Sequence, residues 1–144
     1  MEWPRRREGE FEIGLMRRDE SKGVVELYRA VYGDHYPIQS MYDPEYIFEQ
    51  QEAGHMYRSV VVDREGRVLA HQALYRTSAH WKCIYEEGQG MVLPEYRGKG
   101  LNNLTMAYDH EVVVPQVGIP EIWGEAVANH IFMQNPCTDA DPAN

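Results

Sequence analysis

A short segment of the chain, Val92 to Asn102, combines glycines and basic side chains in an order that could bind a phosphate group. Val92-Leu93-Pro94 ends a strand-like run, and Arg97-Gly98-Lys99-Gly100-Leu101-Asn102 opens a helix-like stretch. The first amides of a helix have no partner inside the helix, and the helix dipole makes that end positive. Glycines would let a phosphate reach these amides, and Arg97 and Lys99 would add positive charge. The segment therefore predicts a pyrophosphate-binding loop, with an ordinary glycine turn carrying surface basic residues as the alternative.

The same segment does not match two common nucleotide-binding motifs. The P-loop pattern G-x-x-x-x-G-K-[ST] is absent from the chain. The dinucleotide fingerprint G-x-G-x-x-G is absent as well. That fingerprint follows the first strand of a βαβ unit, whereas this loop follows the fourth predicted strand. Both nucleotide-binding classes are therefore excluded as interpretations of this loop.

The elements that would position the loop follow the order β-α-α-β-β-β-α-β, which predicts a mixed α/β domain. The predicted strands are 11–15, 57–62, 67–75, about 83–93 and 122–128. Helices are expected from about 19 to 32, from 43 to 54, and from 98 to about 113, followed by a connector from Pro115 to Pro120. The turn Asp63-Arg64-Glu65-Gly66 joins the second and third strands as a hairpin. Within the fourth strand, Gly88 and Gly90 indicate a bulge or a close approach to the backbone.

Length and composition favour one ordinary domain. The 144 residues suit a single core, which we place at 10–134, between a flexible arm at 1–9 and a polar tail at 135–144. A formal net charge of −9 argues against a nucleic-acid binder. No apolar run approaches the length of a membrane span, and no signal peptide is evident, so we expect a cytoplasmic protein without membrane contact. The histidines and two cysteines show no metal-ligand spacing, so no metal is expected.

With these residues and elements in order, the chain resembles the GNAT-type N-acetyltransferases, which use acetyl-CoA. That family ends a strand with V-x-P and opens the next helix with [Q/R]-x-x-G-x-[G/A]. Val92-Leu93-Pro94 and Arg97 to Asn102 fit this pattern in five of six essential positions. Asn102 is the departure, because the family carries glycine or alanine there. The resemblance implies an acyl-CoA N-acyltransferase-like fold across about Phe11 to Gln134.

The resemblance also implies where acetyl-CoA would bind. Its pyrophosphate would lie on the loop, its pantetheine arm would run along the fourth strand, and a backbone amide near Gly90 would face the thioester carbonyl. An asparagine after the fifth strand, here Asn129, often touches the cofactor. The cofactor-binding residues predicted in this way are Gly90, Met91, Val92, Arg97, Gly98, Lys99, Gly100, Leu101, Asn102 and Asn129.

Transfer to an amine needs a base, because an alkyl amine has a pKa of about 10 and arrives protonated. Glu86 matches the fourth-strand position where several family members hold that base, and Glu87 is the alternative, on the opposite strand face. A solvated strand face is the competing interpretation of both carboxylates. The family's tyrosine acid would fall at Pro136, which cannot serve, so His130 or Tyr108 is considered instead.

The chain also looks shorter than the resemblance implies, since the last helix and two strands of the family have no counterpart after the fifth strand. We expect that exposed sheet edge to favour a homodimer. The acceptor would be an amine of a small molecule or a protein, in a pocket to which Tyr32, His35, Tyr36 and Tyr42 could contribute. The alternative function is a non-catalytic acyl-CoA-binding or interaction domain with a degenerate active site.

Overall fold

The centre of the fold is a sheet whose strands lie side by side in the order in which they occur along the chain. The structure is a computed structural model that describes residues 3–76, 84–119, 121–123 and 131–132. Within these residues the strands are β1 (Arg6–Glu8), β2 (Phe11–Leu15), β3 (Met56–Val62), β4 (Val68–Arg76), β5 (Ile84–Val92), β6 (Glu121–Trp123) and β7 (Ile131–Phe132). Neighbouring strands are antiparallel, except that β5 and β6 run parallel.

Four helical elements complete the described fold, and they confirm the predicted mixed α/β architecture. They are α1 (Ser21–Tyr32), α2 (Pro44–Glu52), α3 (Leu101–Tyr108) and α4 (Val114–Val117), with a π-helical turn at Asp109–Val113 between the last two. Short 3-10 turns lie at Arg18–Glu20, Gln39–Tyr42 and Pro94–Tyr96. The predicted order β-α-α-β-β-β-α-β is present, with β1, α4 and β7 in addition.

Helices pack on both faces of the sheet. Neighbouring residues of β4 show this arrangement, because side chains alternate between the two faces of a strand. The ring of His71 lies 5.1 Å from the ring of Tyr28 on α1, whereas Gln72 is contacted by Thr105 of α3. Each face of the sheet is thereby covered by apolar side chains, and the structure has an α-β-α layering around one core.

Two local predictions are confirmed in detail. Asp43 caps α2, since its Oδ1 accepts a hydrogen bond from the Glu45 amide at 3.0 Å and Pro44 occupies the first helical position. The turn between β3 and β4 is organised by Asp63, whose Oδ1 accepts from the Glu65 amide at 3.0 Å and the Arg67 amide at 2.9 Å. Both features depend on residues a few positions apart, so they could be inferred from the sequence.

The first nine residues differ from the predicted flexible arm, because Arg6–Glu8 forms β1 against β2. Arg5 joins this segment to the core. Its guanidinium lies 2.8 Å from the Glu12 carboxylate and 2.6 Å from that of Glu20, and its side chain is only 12% exposed. The partners of Arg5 lie 7 and 15 residues away along the chain, so neighbouring residues in the sequence gave no sign that this segment is held to the core.

The helix after the loop is longer and less regular than predicted. We expected it to end near Val113, with Pro115 starting a connector, but helical structure continues to Val117. Proline cannot donate a backbone hydrogen bond, and it is tolerated within the first turn of a helix. Pro115 occupies such a position in α4, immediately after the π-helical turn.

The strand after this helix has a neighbour on its far side. β6 pairs with β5 through Ile84–Glu86 and Glu121–Trp123, and on its other side Glu121 and Ile122 pair with Phe132 and Ile131 of β7. The sequence placed this strand at an exposed edge of the sheet. The predicted strand extends to 128, and residues 124–128 lie outside the described part of the chain.

Candidate functional site

The loop after β5 adopts the backbone that its glycines predicted. The amide of Leu93 donates to the carbonyl of Leu69 at 2.8 Å, which fixes the end of β5 against β4. Gly98 and Gly100 have φ angles of +83° and +78°, a left-handed conformation that favours glycine. Apart from the adjacent residues, no atom of the described chain lies within 4 Å of a Cβ built on either glycine, so the space above the loop is open with respect to those residues.

The amino-terminal end of α3 faces this open space with positive character. Gly100 is the residue before the helix, and no side chain among the described residues caps its first turn. Arg97 and Lys99 are exposed, and neither forms an ion pair with a carboxylate of the described chain. Free amides, the helix dipole and two cations together form a suitable environment for an anion.

The predicted irregularity in β5 is confirmed as a bulge. Ala73 pairs with Gly88, but His71 pairs with Met91, so β5 holds one extra residue between these two pairs. The bulge lies directly against α3. A Cβ atom on Gly90 would stand 3.0 Å from the Asn102 Oδ1 atom, which means that only glycine fits beside this side chain without displacement.

Asn102, the misfit to the family pattern, therefore has a defined place. Its side chain packs against Gly90 of the bulge. The backbone carbonyl oxygen of Asn102 accepts a hydrogen bond from the Thr105 hydroxyl at 2.8 Å. The asparagine side chain is accommodated between α3 and β5, and its presence leaves the loop glycines unobstructed. The substitution is compatible with an open amide end of the helix.

Next to the bulge, an open cleft of about 570 Å³ extends along β5 from its first half to the loop. It is lined by Val31, Tyr32, Gln72, Tyr75, Glu86, Glu87, Gly88, Gly90, Met91, Val92, Arg97 and Asn102. The cleft thus brings together the predicted base and five of the predicted cofactor-binding residues. Gly98, Lys99, Gly100 and Leu101 are absent from this lining. Of these four, Leu101 lies in the core with 1% of its surface exposed. The remaining predicted residue, Asn129, lies outside the described residues.

Glu86 and Tyr75 face each other across two strands inside this cleft. They are directly opposite in the pairing of β4 with β5, and both are half-buried. Burial, together with the negative charge of Glu86 and a hydrogen bond with its carboxylate, raises the pKa of the Tyr75 hydroxyl to about 12. Tyr75 was not identified from the sequence, because its pairing with Glu86 depends on the strand register.

Glu87 occupies a different environment from Glu86, as the alternation of strand side chains predicted. Its side chain is fully buried, and its Oε1 atom lies 3.0 Å from Nε2 of His110. This contact raises the pKa of His110, mainly through the hydrogen bond to Glu87. A carboxylate that is enclosed and already paired is a poor candidate for a base that must reach an incoming amine.

Asp109 is buried beside Glu87. The π-helical turn that begins at this residue lies at the end of α3, and Asp109 has no exposed surface. Burial raises the pKa of Asp109 well above its usual range, and hydrogen bonding with Glu87 adds to the effect. Placing a second charge beside Glu87 in a buried site is unfavourable, so this position favours the protonated form of Asp109. We assign this pair to the core beneath β5.

The other side chains considered from the sequence have structural roles or lie elsewhere. The Tyr108 hydroxyl donates to the carbonyl of Pro4 at 2.7 Å and accepts from the Leu15 amide, so it cannot serve as the acid. His130 lies outside the described residues. Tyr42 donates to the Gly33 carbonyl at 2.7 Å, and of the four residues proposed for the acceptor pocket only Tyr32 lines the cleft.

A larger cleft of about 1080 Å³ contains none of the predicted site residues. Its lining includes Trp3, Arg5 and Gln51. The guanidinium of Arg5 is already paired with two carboxylates, and the amide group of Gln51 is bonded to the backbone of Met16 and Arg58. The side chains of Arg5 and Gln51 therefore have little remaining capacity to bind a ligand.

Two absences concern only the described part of the chain. None of its helices is long and apolar enough to cross a membrane. Within the same residues, no group of three or more histidine, cysteine, aspartate or glutamate side chains could hold a metal ion.

Comparison with known proteins identifies the fold through structure and not through sequence. No protein-family model matches the chain, and no curated protein matches it. Solved structures do match it. An acetyltransferase from Trypanosoma brucei has a TM-score of 0.61 at 16% identity, with 82% of this chain and 84% of that chain covered.

Two further solved structures of acetyltransferases match the chain. A GNAT family acetyltransferase from Brucella melitensis in complex with acetyl-CoA matches with a TM-score of 0.60 at 19% identity, covering 78% of this chain and 73% of that one. Glucosamine-6-phosphate N-acetyltransferase from Arabidopsis thaliana matches with a TM-score of 0.58 at 15% identity, covering 82% and 83%. The chain therefore has the fold of the GNAT-type acetyltransferases.

Proposed function

We propose that this protein is an N-acetyltransferase, which moves an acetyl group from acetyl-CoA to an amine of a small molecule or a protein. The observation that carries the proposal is the cleft along β5. At one end it reaches Arg97 and Asn102, beside the uncapped start of α3, and near the other it holds Glu86. Phosphate-binding and proton-accepting groups are thus joined by one bulged strand.

The residues present are compatible with binding of acetyl-CoA. The open space above Gly98 and Gly100 would admit the pyrophosphate, and the first amides of α3 with Arg97 and Lys99 would bind it. The pantetheine arm would follow β5 past Val92 and Met91. Because the Met91 side chain is 5% exposed, its contact would be made through the backbone.

The chemistry would take place beside the bulge. A backbone amide near Gly90 would donate to the thioester carbonyl and stabilise the oxyanion that forms when the amine attacks. Glu86 would take the proton from the amine, since its carboxylate lies in the cleft, whereas that of Glu87 is enclosed and paired with His110. Glu86 would also attract a protonated amine before transfer.

Release of free thiol from acetyl-CoA tests this function. The wild-type protein is assayed alone and with a panel of amines: alkyl diamines, amino sugars, and peptides with a free amino terminus or lysine. We expect release above the buffer blank, and Glu86→Gln should lower it by about 10²- to 10⁴-fold, the range for loss of a general base.

Glu65→Gln is the matched control, because Glu65 is an exposed carboxylate in the turn between β3 and β4 and does not line the cleft. It should leave turnover unchanged. Calorimetry with acetyl-CoA separates binding from transfer. Normal binding without turnover in the wild-type protein would contradict the enzymatic proposal and would favour a non-catalytic acyl-CoA-binding domain.

A further inference from the structure

Among the described residues two tyrosines, Tyr32 and Tyr75, line the cleft, and Tyr75 is the one paired across the strands with the proposed base. Its neighbour across the strands is Glu86, and both side chains line the same cavity. Cross-strand neighbours on one face of a sheet have Cβ atoms about 5 Å apart, so their polar ends can meet. Of the proton donors considered from the sequence, Tyr108 is bonded elsewhere and His130 lies outside the described residues, whereas the Tyr75 hydroxyl lies in the cleft beside Glu86.

Gly88 determines where the Tyr75 hydroxyl lies. A Cβ atom on Gly88 would stand 3.1 Å from this hydroxyl oxygen and 3.4 Å from the ring carbon Cε1. The phenol ring therefore extends over the backbone of Gly88, two residues beyond Glu86 and at the start of the bulge. A glycine is needed here because its neighbour on β4 occupies the space that a side chain would fill.

Resting on the function proposed above, we propose that Tyr75 is a second catalytic residue, which together with Glu86 carries the proton of the attacking amine to the departing coenzyme A sulfur. The inference draws on three positions. Glu86 is the proton acceptor, Tyr75 is the donor to sulfur, and Gly88 leaves room for the hydroxyl beside the bulge.

Bonds and protons balance in this relay. The amine nitrogen forms a bond to the carbonyl carbon, and the bond from that carbon to sulfur breaks with its electron pair leaving on sulfur. A protonated amine first loses one proton to solvent. In the transfer step Glu86 receives the second proton from nitrogen, and the Tyr75 hydroxyl gives its proton to the sulfur. The protonated Glu86 then returns a proton to the phenolate, so both residues end as they began.

Acid strengths favour this direction of transfer. The phenol is a weak acid before the reaction, since burial and the charge of Glu86 raise its pKa to about 12. When Glu86 accepts a proton its charge disappears, and the contribution of that charge to the pKa of Tyr75 disappears with it. Over the full relay a carboxylic acid protonates a thiolate, and carboxylic acids are in general stronger acids than thiols.

Tyr75→Phe is the direct test, because it removes the hydroxyl and keeps the ring. With the amine that gives the fastest wild-type reaction, or with water as acceptor, we expect kcat to fall about 10²-fold or more. The dissociation constant of acetyl-CoA, measured by calorimetry, should stay unchanged. Tyr57→Phe is the control, since Tyr57 is another partly buried tyrosine of the sheet, outside the cleft lining.

Two further measurements would not respond to a purely structural role. The solvent deuterium isotope effect on kcat should be smaller in Tyr75→Phe than in the wild-type protein, because a proton transfer is lost. In the absence of ligand, NMR titration of labelled tyrosine rings should show the Tyr75 pKa falling from about 12 in Glu86→Gln, with the signal assigned by its loss in Tyr75→Phe.

Gly88→Ala provides an independent variant with an intact Tyr75. Its methyl group would displace the hydroxyl, so kcat should fall while acetyl-CoA still binds. The relay is refuted if Tyr75→Phe retains the wild-type kcat in an active enzyme. It is also refuted if the Tyr75 pKa in Glu86→Gln equals that in the wild-type protein. No thiol release by the wild-type protein would instead reject the acetyltransferase function, and the relay with it.

Discussion

Introducing a negative charge at Gly100 should separate binding of the pyrophosphate from every other property of the protein. Gly100 precedes the first turn of α3, and an added side chain there would project into open space. Gly100→Asp would therefore place a carboxylate where we locate the pyrophosphate. The substitution leaves the described core untouched, because none of its atoms lies within 4 Å of the new Cβ position.

The expected loss can be worked out from Coulomb's law. For a separation of about 6 Å and an effective dielectric constant between about 20 and 80, each pair of unit charges repels by roughly 0.7 to 2.8 kcal/mol. A pyrophosphate carries at least two negative charges, so even the lower limit gives about 1.4 kcal/mol, which is about tenfold in Kd. We expect Kd for acetyl-CoA to rise at least tenfold, and by less at high salt.

Two controls isolate the charge from the backbone and from bulk. Gly66→Asp adds the same side chain at a φ of +84° in the turn between β3 and β4, where space is also open. It should leave acetyl-CoA binding unchanged. Gly100→Asn matches the aspartate in size and tolerates the left-handed conformation, so the ratio of the two Kd values reports charge alone. A ratio near one at low salt would refute the assignment of this loop.

The remaining predictions concern stability. Arg5→Ala should lower the free energy of unfolding by about 3 kcal/mol, because it leaves the buried Glu20 carboxylate without its cation. A denaturant titration measures this change. An unchanged free energy would support the prediction that residues 1–9 form a flexible arm. Asp109 has a raised pKa, so the folded protein binds more protons than the unfolded chain from about pH 4 up to that raised value, and stability falls as pH rises. Asp109→Asn should flatten this decline and stabilise the protein most at the upper end of the range, by about 1.4 kcal/mol for each unit of elevation; a wild-type pH slope in the variant would contradict the buried carboxyl pair.

Features that depend on neighbouring residues could be predicted from the sequence. The loop glycines adopt left-handed backbone because they carry no side chain. The Asp43 cap and the Asp63 turn form because each carboxylate accepts hydrogen bonds from nearby backbone amides. The bulge was indicated by glycines within a strand. The loop glycines and the bulge also form most of the proposed phosphate site. That part of the site could therefore be predicted from the sequence before the fold was known.

Features that depend on register and distant contacts could not be predicted. The meeting of Tyr75 with Glu86 requires the pairing of β4 with β5, including the one-residue shift at the bulge. The burial of Asp109 follows a π-helical turn, for which the helical spacing gave no signal. Arg5 finds its carboxylates only when β1 lies beside β2 and α1 is in place.

The central claim, that the cleft along β5 is an acetyl-CoA site, is tested most directly by a crystal structure of the protein with acetyl-CoA. We predict the pyrophosphate against the amides of residues 98–102, with Arg97 beside it, and the thioester at the bulge next to Glu86 and Tyr75. Acetyl-CoA located elsewhere on the protein, or a cleft that remains empty at saturating concentration, would contradict the claim.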